Sequence, residues 1–317
     1  MQGGFAMLEV GSTGTKHTKN ILIKNLMDLA ISALVWWMLG HAIAFGKGES
    51  GTSFNQFVGG GGYFAKDEEF EDASGHYGTD EGYNFAKFLF YWSFSGAAVT
   101  IASGAVGERI SLTGYFIVVV VMVGFIYPVS RMYVATDALT AAVVYACVHS
   151  VSSPSLLAPS LQVHACGGMA AFTLAVLMGP RLGRFSISEA SKLIEQQNAV
   201  LQTLGTFILW IGWYGFNGCS TLYITGSAHV AAKVMVCTTL SAAASGLGVA
   251  SASMIMFQHV GPREVCNGLF SGLVAITGGE LEAAFLIGTI AAINYLAFSR
   301  LLQLLHIDDM VRWRRQS

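Results

Sequence analysis

Leu201-Gln-Thr-Leu-Gly-Thr-Phe-Ile-Leu-Trp-Ile-Gly-Trp-Tyr-Gly-Phe-Asn-Gly-Cys-Ser220 is long enough to cross a bilayer, yet it is not uniformly apolar. On a helix turning about 100° per residue, Gln202, Thr206, Trp210, Trp213, Phe216, Asn217 and Ser220 fall on one face, within an arc of about 120°. The other side carries Leu201, Leu204, Ile208, Ile211, Gly215 and Gly218. Lipid cannot satisfy a polar and aromatic stripe, so the stripe must face a pathway or the interior of a bundle. Two readings follow: a pathway lined by the stripe, or a helix packed through its glycines with its polar groups bonded to neighbours.

The whole chain supports the membrane reading. It is 53% hydrophobic and 11% charged, with 37 glycines, whereas a soluble domain carries about 25% charged residues. A net charge of −2 singles out no class of partner, and no basic patch interleaved with aromatics points to nucleic acid. The five cysteines, Cys147, Cys166, Cys219, Cys237 and Cys266, lie singly, in neither a disulfide framework nor a zinc spacing. The opening Met1–Val10 is too short to span and reads as the tail of a helix.

Working outward, spans are expected near 20–46, 83–107, 112–129, 156–179, 199–218, 227–257, 265–279 and 282–305. The long segment 227–257 is expected to tilt, or to break at its Ala/Ser/Gly-rich middle. Lys47–Gly82 is a polar loop with eight acidic residues and two lysines. Placing the 11–19 loop inside puts Lys16, Lys19, Lys24, Arg109, Arg181, Arg184, Lys192, Arg263, Arg300, Arg312, Arg314 and Arg315 on the inner side. Only Lys47, Lys66, Lys87 and Arg131 then lie outside, so the acidic loop is expected to be extracellular. A crossing by Val134–Val148 would reverse this balance, so 130–155 is read as a non-spanning outer segment.

Few residues invite chemistry. His164, in Leu161-Gln-Val-His-Ala-Cys-Gly-Gly-Met-Ala-Ala171, shares a helical face with Gly167, Gly168, Ala171 and Ala175. An ionisable group there needs a partner or a water-accessible path, and a bond to a neighbouring carbonyl would equally satisfy it. Phe94 lies beside small residues and either plugs a narrow pore or simply packs. Lys24 and Asp28, four residues apart, are expected to pair within one helix. No nucleophile elbow, zinc-protease helix, phosphate loop or paired intramembrane carboxylates stand out. The expectation is a non-enzyme using no cofactor or metal.

Several motifs together resemble the ammonium transporter (Amt/Mep/Rhesus) superfamily, on its Amt/Mep side. They are Gly4-Phe-Ala-Met-Leu-Glu9, Asn20-Ile-Leu-Ile-Lys-Asn-Leu-Met-Asp28, Gly104–Arg109, Val163-His-Ala-Cys-Gly-Gly168, Gly179-Pro-Arg-Leu-Gly-Arg184, Gly205–Ser220 and Ile307-Asp-Asp309. The resemblance implies an all-α polytopic membrane bundle, with about 8 full spans here of the family's eleven, and a homotrimer with a pore through each subunit. It implies a multi-pass protein of the plasma membrane. It also implies ammonium, or its analogue methylammonium, recruited at an outer vestibule of aromatics and a serine, and ammonia conducted past histidines. Position by position, Phe94 and Phe216 match a phenylalanine gate, Ser220 the vestibule serine, His164 the first pore histidine and Trp213 a pore-lining tryptophan.

The resemblance covers 1–309 as one membrane domain, with a partial first helix at 1–10 and divergence across 130–162. There the family's tryptophan after the fourth helix and its Asp-Phe-Ala-Gly run have no match. The chain ends in a divergent basic stretch, 310–317, where the family continues into a helix carrying a second histidine. Two alternatives stand beside the transporter: a Rhesus-type channel for ammonia or carbon dioxide, and a non-conducting subunit or sensor acting on full-length partners.

Overall fold

A computed structural model describes residues 1–46, 63–65, 81–136, 154–182, 184–185, 198–222, 226–276 and 280–308. Most of the acidic loop 47–82, residues 137–153 and the basic end 309–317 lie outside the described residues.

The described chain is helical throughout. Helix α1 is Gln2–Ser12, and α2, Thr18–Val35, runs through a π-helical turn at Trp36–Gly40 into α3, His41–Phe45. Helix α4 is Glu81–Val106. Helix α5, Leu112–Val121, passes a second π-helical turn at Met122–Ile126 into α6, Tyr127–Thr136. Then follow α7 (Pro154–Met178), α8 (Ala199–Gly218), α9 (Ala228–Phe257), α10 (Pro262–Ala275) and α11 (Leu281–Leu304). In lipid every backbone amide must be bonded within its own segment, so apolar runs of this length have no alternative to the helix. Starts are set locally: the Asn198 side chain accepts from the amides of Val200 and Leu201, Ser111 accepts from Gly114, and Pro262 opens α10.

Among the described residues, six helices are long and apolar enough to cross a membrane: Thr15–Phe45, Asn84–Val106, Leu112–Arg131, Ala199–Thr221, Ala228–Phe257 and Leu281–Leu304. Many of their large apolar side chains, among them Leu26, Ile117, Ile211, Leu247 and Ile293, are exposed, as a lipid-facing surface requires. The protein is therefore a multi-pass membrane protein. One expectation needs adjustment, and one pair of alternatives is narrowed. The 265–279 segment becomes the 14-residue α10, which at 1.5 Å per residue covers about 21 Å and falls short of a full span. The Ala/Ser/Gly-rich middle of 227–257 does not break, and α9 runs unbroken for 30 residues.

Packing divides the bundle into α4 against α7, α1 against α8, and a trio of α9, α10 and α11. Where α1 crosses α8 the backbones touch: a Cβ on Gly4 would lie 2.7 Å from Leu209 Cγ, and a Cβ on Gly11 would collide with the Gln202 amide.

The expected Lys24–Asp28 pair is absent. Lys24 Nζ donates to the carbonyls of Gly107 (2.7 Å) and Ile110 (2.9 Å), at the end of α4. Asp28 Oδ2 accepts instead from Gln2 Nε2 (2.8 Å) and Thr100 Oγ1 (3.0 Å). The end of α4 leaves carbonyls without helical partners, and an ammonium group satisfies them better than it would a carboxylate already bonded twice.

Three sequence motifs meet at one end of the bundle. Arg181 binds Asp308 (2.7 Å) and Glu108 (2.6 Å), Arg184 binds Asp308 (3.0 Å), and Arg109 donates to the carbonyls of Gly179, Ala105 and Asp308. Burial alone would raise the Asp308 carboxyl, but hydrogen bonds and charge from Arg181, joined by Arg184, outweigh it and hold it below the usual carboxylate range. A depressed folded-state value means stability that is present above the unfolded carboxylate value and lost as pH falls through the folded one. Asp308→Asn will therefore cost about 3 kcal/mol at neutral pH, because it strands buried guanidinium charge. The parent-minus-variant difference in thermal midpoint will hold steady above pH ~5 and shrink below pH ~4.

Candidate conduction site

The sequence of α4 places Phe90 and Phe94 one turn apart on one face, and their rings lie 4.2 Å apart, tilted by 34°. Helix α8 brings Phe216 onto Phe94 with ring centroids 4.0 Å apart and planes 1° from parallel. Both rings are buried. Three residues earlier on α8, Trp213 lies 5.6 Å from Phe216. From α7, the His164 ring lies 5.7 Å from Trp213, with planes 2° from parallel, and 5.7 Å from Phe216. The four side chains expected from sequence, Phe94, His164, Trp213 and Phe216, thus form one contiguous aromatic column. Phe90, missed at the sequence level, extends it; its signal is the i, i+4 spacing from Phe94.

The column separates two hollows. Phe90, Phe94 and Phe216 line a groove of about 330 Å³ shared with Met1 and Trp92. His164 and Trp213 line a cavity of about 430 Å³ whose wall is mostly apolar, including Phe172, Phe270 and Phe298. Among the described residues, no hydrogen-bond partner reaches His164 Nε2 or Trp213 Nε1, although both atoms are buried. The carbonyl partner considered for the histidine is therefore not found at Nε2. The small face of α7 has two uses. Gly167 packs on α4, where its Cβ would lie 2.8 Å from the Ala98 carbonyl oxygen, while Gly168, Ala171 and Ala175 line the cavity beside His164.

Ser220 is buried in the short turn that ends α8, and its hydroxyl donates to the Phe216 carbonyl at 2.7 Å. With its proton committed, the oxygen's lone pairs can only accept. The rest of the stripe divides between the two readings. Asn217 Nδ2 donates to Thr238 Oγ1 (3.1 Å) and the Ile276 carbonyl (2.8 Å) and so ties α8 to its neighbours, while Thr206 is satisfied within α8 by the Gln202 carbonyl. Trp210 bonds Tyr214, which bonds Thr239. Trp213 and Phe216 alone belong to the column. One further polar group was quoted within a motif but given no role: Glu9 lines the His164 cavity together with Thr100.

The chain as a whole is similar to known proteins. The chain is 35% identical to "Ammonium transporter 1 member 2" of Arabidopsis thaliana over 94% of its own length and 59% of that protein's. It is 34% identical to a putative ammonium transporter of Synechocystis sp., covering 98% of this chain and 68% of the relative. It thus spans roughly three fifths to two thirds of the length of such relatives. Among solved structures, one titled "Sensor Amt Protein" superposes with a TM-score of 0.81 at 27% identity, over 98% of this chain and 73% of that one. Mep2 of Candida albicans superposes with a TM-score of 0.76 at 21% identity, covering 98% and 65%, which speaks for the fold alone. The model of the Ammonium Transporter Family matches residues 1–312, and the chain belongs to that family.

Proposed function

We propose that this protein is an ammonium transporter of the plasma membrane, built on one membrane domain over 1–309, with the 47–82 loop extracellular and three copies in the assembly. Ammonium is recruited at the outer groove by the faces of Phe90 and Phe94 and by the acceptor oxygen of Ser220. A partly desolvated cation gains about 2 kcal/mol from a good aromatic face. It sheds a proton once past the Phe94–Phe216 pair, and ammonia moves on through the cavity beside His164 and Trp213. A bare charge is prohibitive in an apolar cavity, whereas ammonia donates and accepts hydrogen bonds at an imidazole nitrogen. The observation that carries this reading is the aromatic column ending on His164 Nε2, a buried nitrogen aimed at no protein partner among the described residues.

The test is methylammonium uptake by yeast lacking their own carriers and expressing the 317-residue chain. Uptake is expected, and His164→Ala combined with Ser220→Leu is expected to lower it at least about tenfold at equal surface expression. Unchanged uptake in the double variant would sink the site assignment. Whether uptake saturates and carries current separates this reading from a Rhesus-type channel for neutral gas.

A second reading is favoured by the structural neighbour titled as a sensor: a non-conducting subunit or sensor that modulates full-length partners. It predicts no uptake by this chain alone, but altered uptake by a co-expressed, co-purifying transporter. An untouched partner that does not co-purify counts against it.

A further inference from the structure

Glu9 of α1 is 2% exposed, reaches Asn25 of α2 and Ser103 of α4, and lines the His164 cavity. One of its oxygens, Oε2, accepts from Asn25 Nδ2 at 2.9 Å and from Ser103 Oγ at 3.4 Å. The other, Oε1, is buried and has no hydrogen-bond partner among the described residues. Among the described residues that line this cavity, Glu9 is the one acidic side chain. A carboxylate oxygen left bare in a low-dielectric site is costly, and the cost is removed by a proton or by a cation brought within reach.

The groups around it form a polar ladder beside the apolar column. Towards one end stands Asp28, held by Gln2 and Thr100, and Thr100 itself lines the cavity. Towards the other stands Lys24, bonded to the Gly107 and Ile110 carbonyls and lying 5.9 Å over the Tyr115 ring. Lys24 and Asp28 of α2 and Tyr115 of α5 are the charged and titratable neighbours of Glu9 on the ladder, and His164 of α7 shares its cavity.

We propose that Glu9 is the proton-holding site of this cavity, taking the proton that an entering ammonium ion gives up. The inference rests on the transport reading above. The step balances: one N–H bond breaks, its electron pair remains on nitrogen as ammonia, and an O–H bond forms at Glu9 Oε1. The carboxylate becomes neutral as the cation becomes neutral, so the two charges cancel within the cavity and ammonia moves on beside His164. Loss of the proton from Glu9 resets the site. Asn25 and Ser103 are positioning residues, because they occupy Oε2 and leave Oε1 without a protein partner among the described residues.

The experiment has two arms, both on the full 317-residue chain. In phosphatidylcholine vesicles, adding ammonium chloride is expected to produce the infrared carbonyl band of a protonated carboxylic acid, which potassium chloride does not produce. The band is expected to vanish in Glu9→Gln and to persist in Asp28→Asn. In uptake assays Glu9→Gln is expected to lose at least about tenfold, while Glu9→Asp keeps a measurable part with an altered pH profile. If Glu9→Gln does not fold, Glu9→Asp carries the test through a displaced carbonyl band and the same altered pH profile. A band unchanged in the variant, or parent-like uptake and pH profile, overturns the proposal and leaves the transport reading standing. The band as expected, with no uptake by the parent, supports the proton site and removes the transport reading instead.

Discussion

Gly272→Leu and Gly288→Leu will each leave the protein unable to assemble its α9–α11 half. A Cβ at either glycine collides with the same atom, the carbonyl oxygen of Ser241 on α9. Both flanking helices therefore use a missing side chain to close on one point of a third backbone. The contact is reinforced there: Ser241 Oγ donates to the Gly272 carbonyl at 2.8 Å, and Ser271 Oγ reaches the Ala291 carbonyl at 2.9 Å. A flexible neighbour can yield to an added methyl group, but a helical carbonyl cannot move without its helix. Overpacking ordinarily costs about 1–3 kcal/mol, and a collision with backbone across three helices lies at or beyond the upper end. Hydrophobic burial offers no compensation in lipid, where close packing itself drives association. The check is monodispersity on size-exclusion after detergent extraction, with thermal midpoint as a second readout. Leucine at Gly168, where an added Cβ would meet nothing within 4 Å, is the control that should stay folded. Loss of assembly in that control as well would mean that the collision at Ser241 is not the cause.

The second large effect concerns the column. Phe94→Ala will convert a selective path into a leak. Phe94 and Phe216 stack beside the groove, with His164 and Trp213 of the cavity next along the column, and both rings are buried. Removing one ring leaves space for water to join the two hollows, and a hydrated path removes the penalty that excludes bare cations. The expected result is a current carried by potassium, absent from the parent and rising at least about tenfold over background, with methylammonium uptake no longer saturating. Truncating a buried phenylalanine also costs about 3–5 kcal/mol of packing. The measurement is therefore read only at matched surface expression, and Phe94→Leu, which keeps most of the volume, should stay nearer to the parent. Identical currents in parent and alanine variant would show that the stack does not form the seal.

The sequence made the membrane helices legible because the bilayer leaves no choice. The expected 199–218, 227–257 and 282–305 became Ala199–Gly218, Ala228–Phe257 and Leu281–Leu304, almost residue for residue. What it hid depends on partners distant in the chain. Lys24 and Asp28 look like a pair at i, i+4, but tertiary acceptors at Gly107, and donors at Gln2 and Thr100, win each of them away. Phe94, His164, Trp213 and Phe216 were named through motifs, yet their meeting in one column is a property of the α4–α7–α8 packing. Glu9 stands in the Gly4–Glu9 motif, but its role is not legible there, because nothing local distinguishes a carboxylate facing a cavity from one facing a neighbour.

The two π-helical turns also bear on how this chain tolerates change. Trp36–Gly40 and Met122–Ile126 pack against each other, so closely that a Cβ on Gly40 would lie 2.7 Å from the Val123 carbonyl oxygen. Each wide turn absorbs one residue more than a regular helix would hold at that level. Removing one residue from either helix alone would swing everything beyond it by about 100°. For the first helix that segment includes His41 and Phe45, and for the second Tyr127 and Arg131, all joined in contacts with one another or with Trp36 and Tyr91. The two irregularities act as matched shims, each seated on the other's backbone although 81 residues of chain lie between them, so a length change at one disturbs the seat of the other.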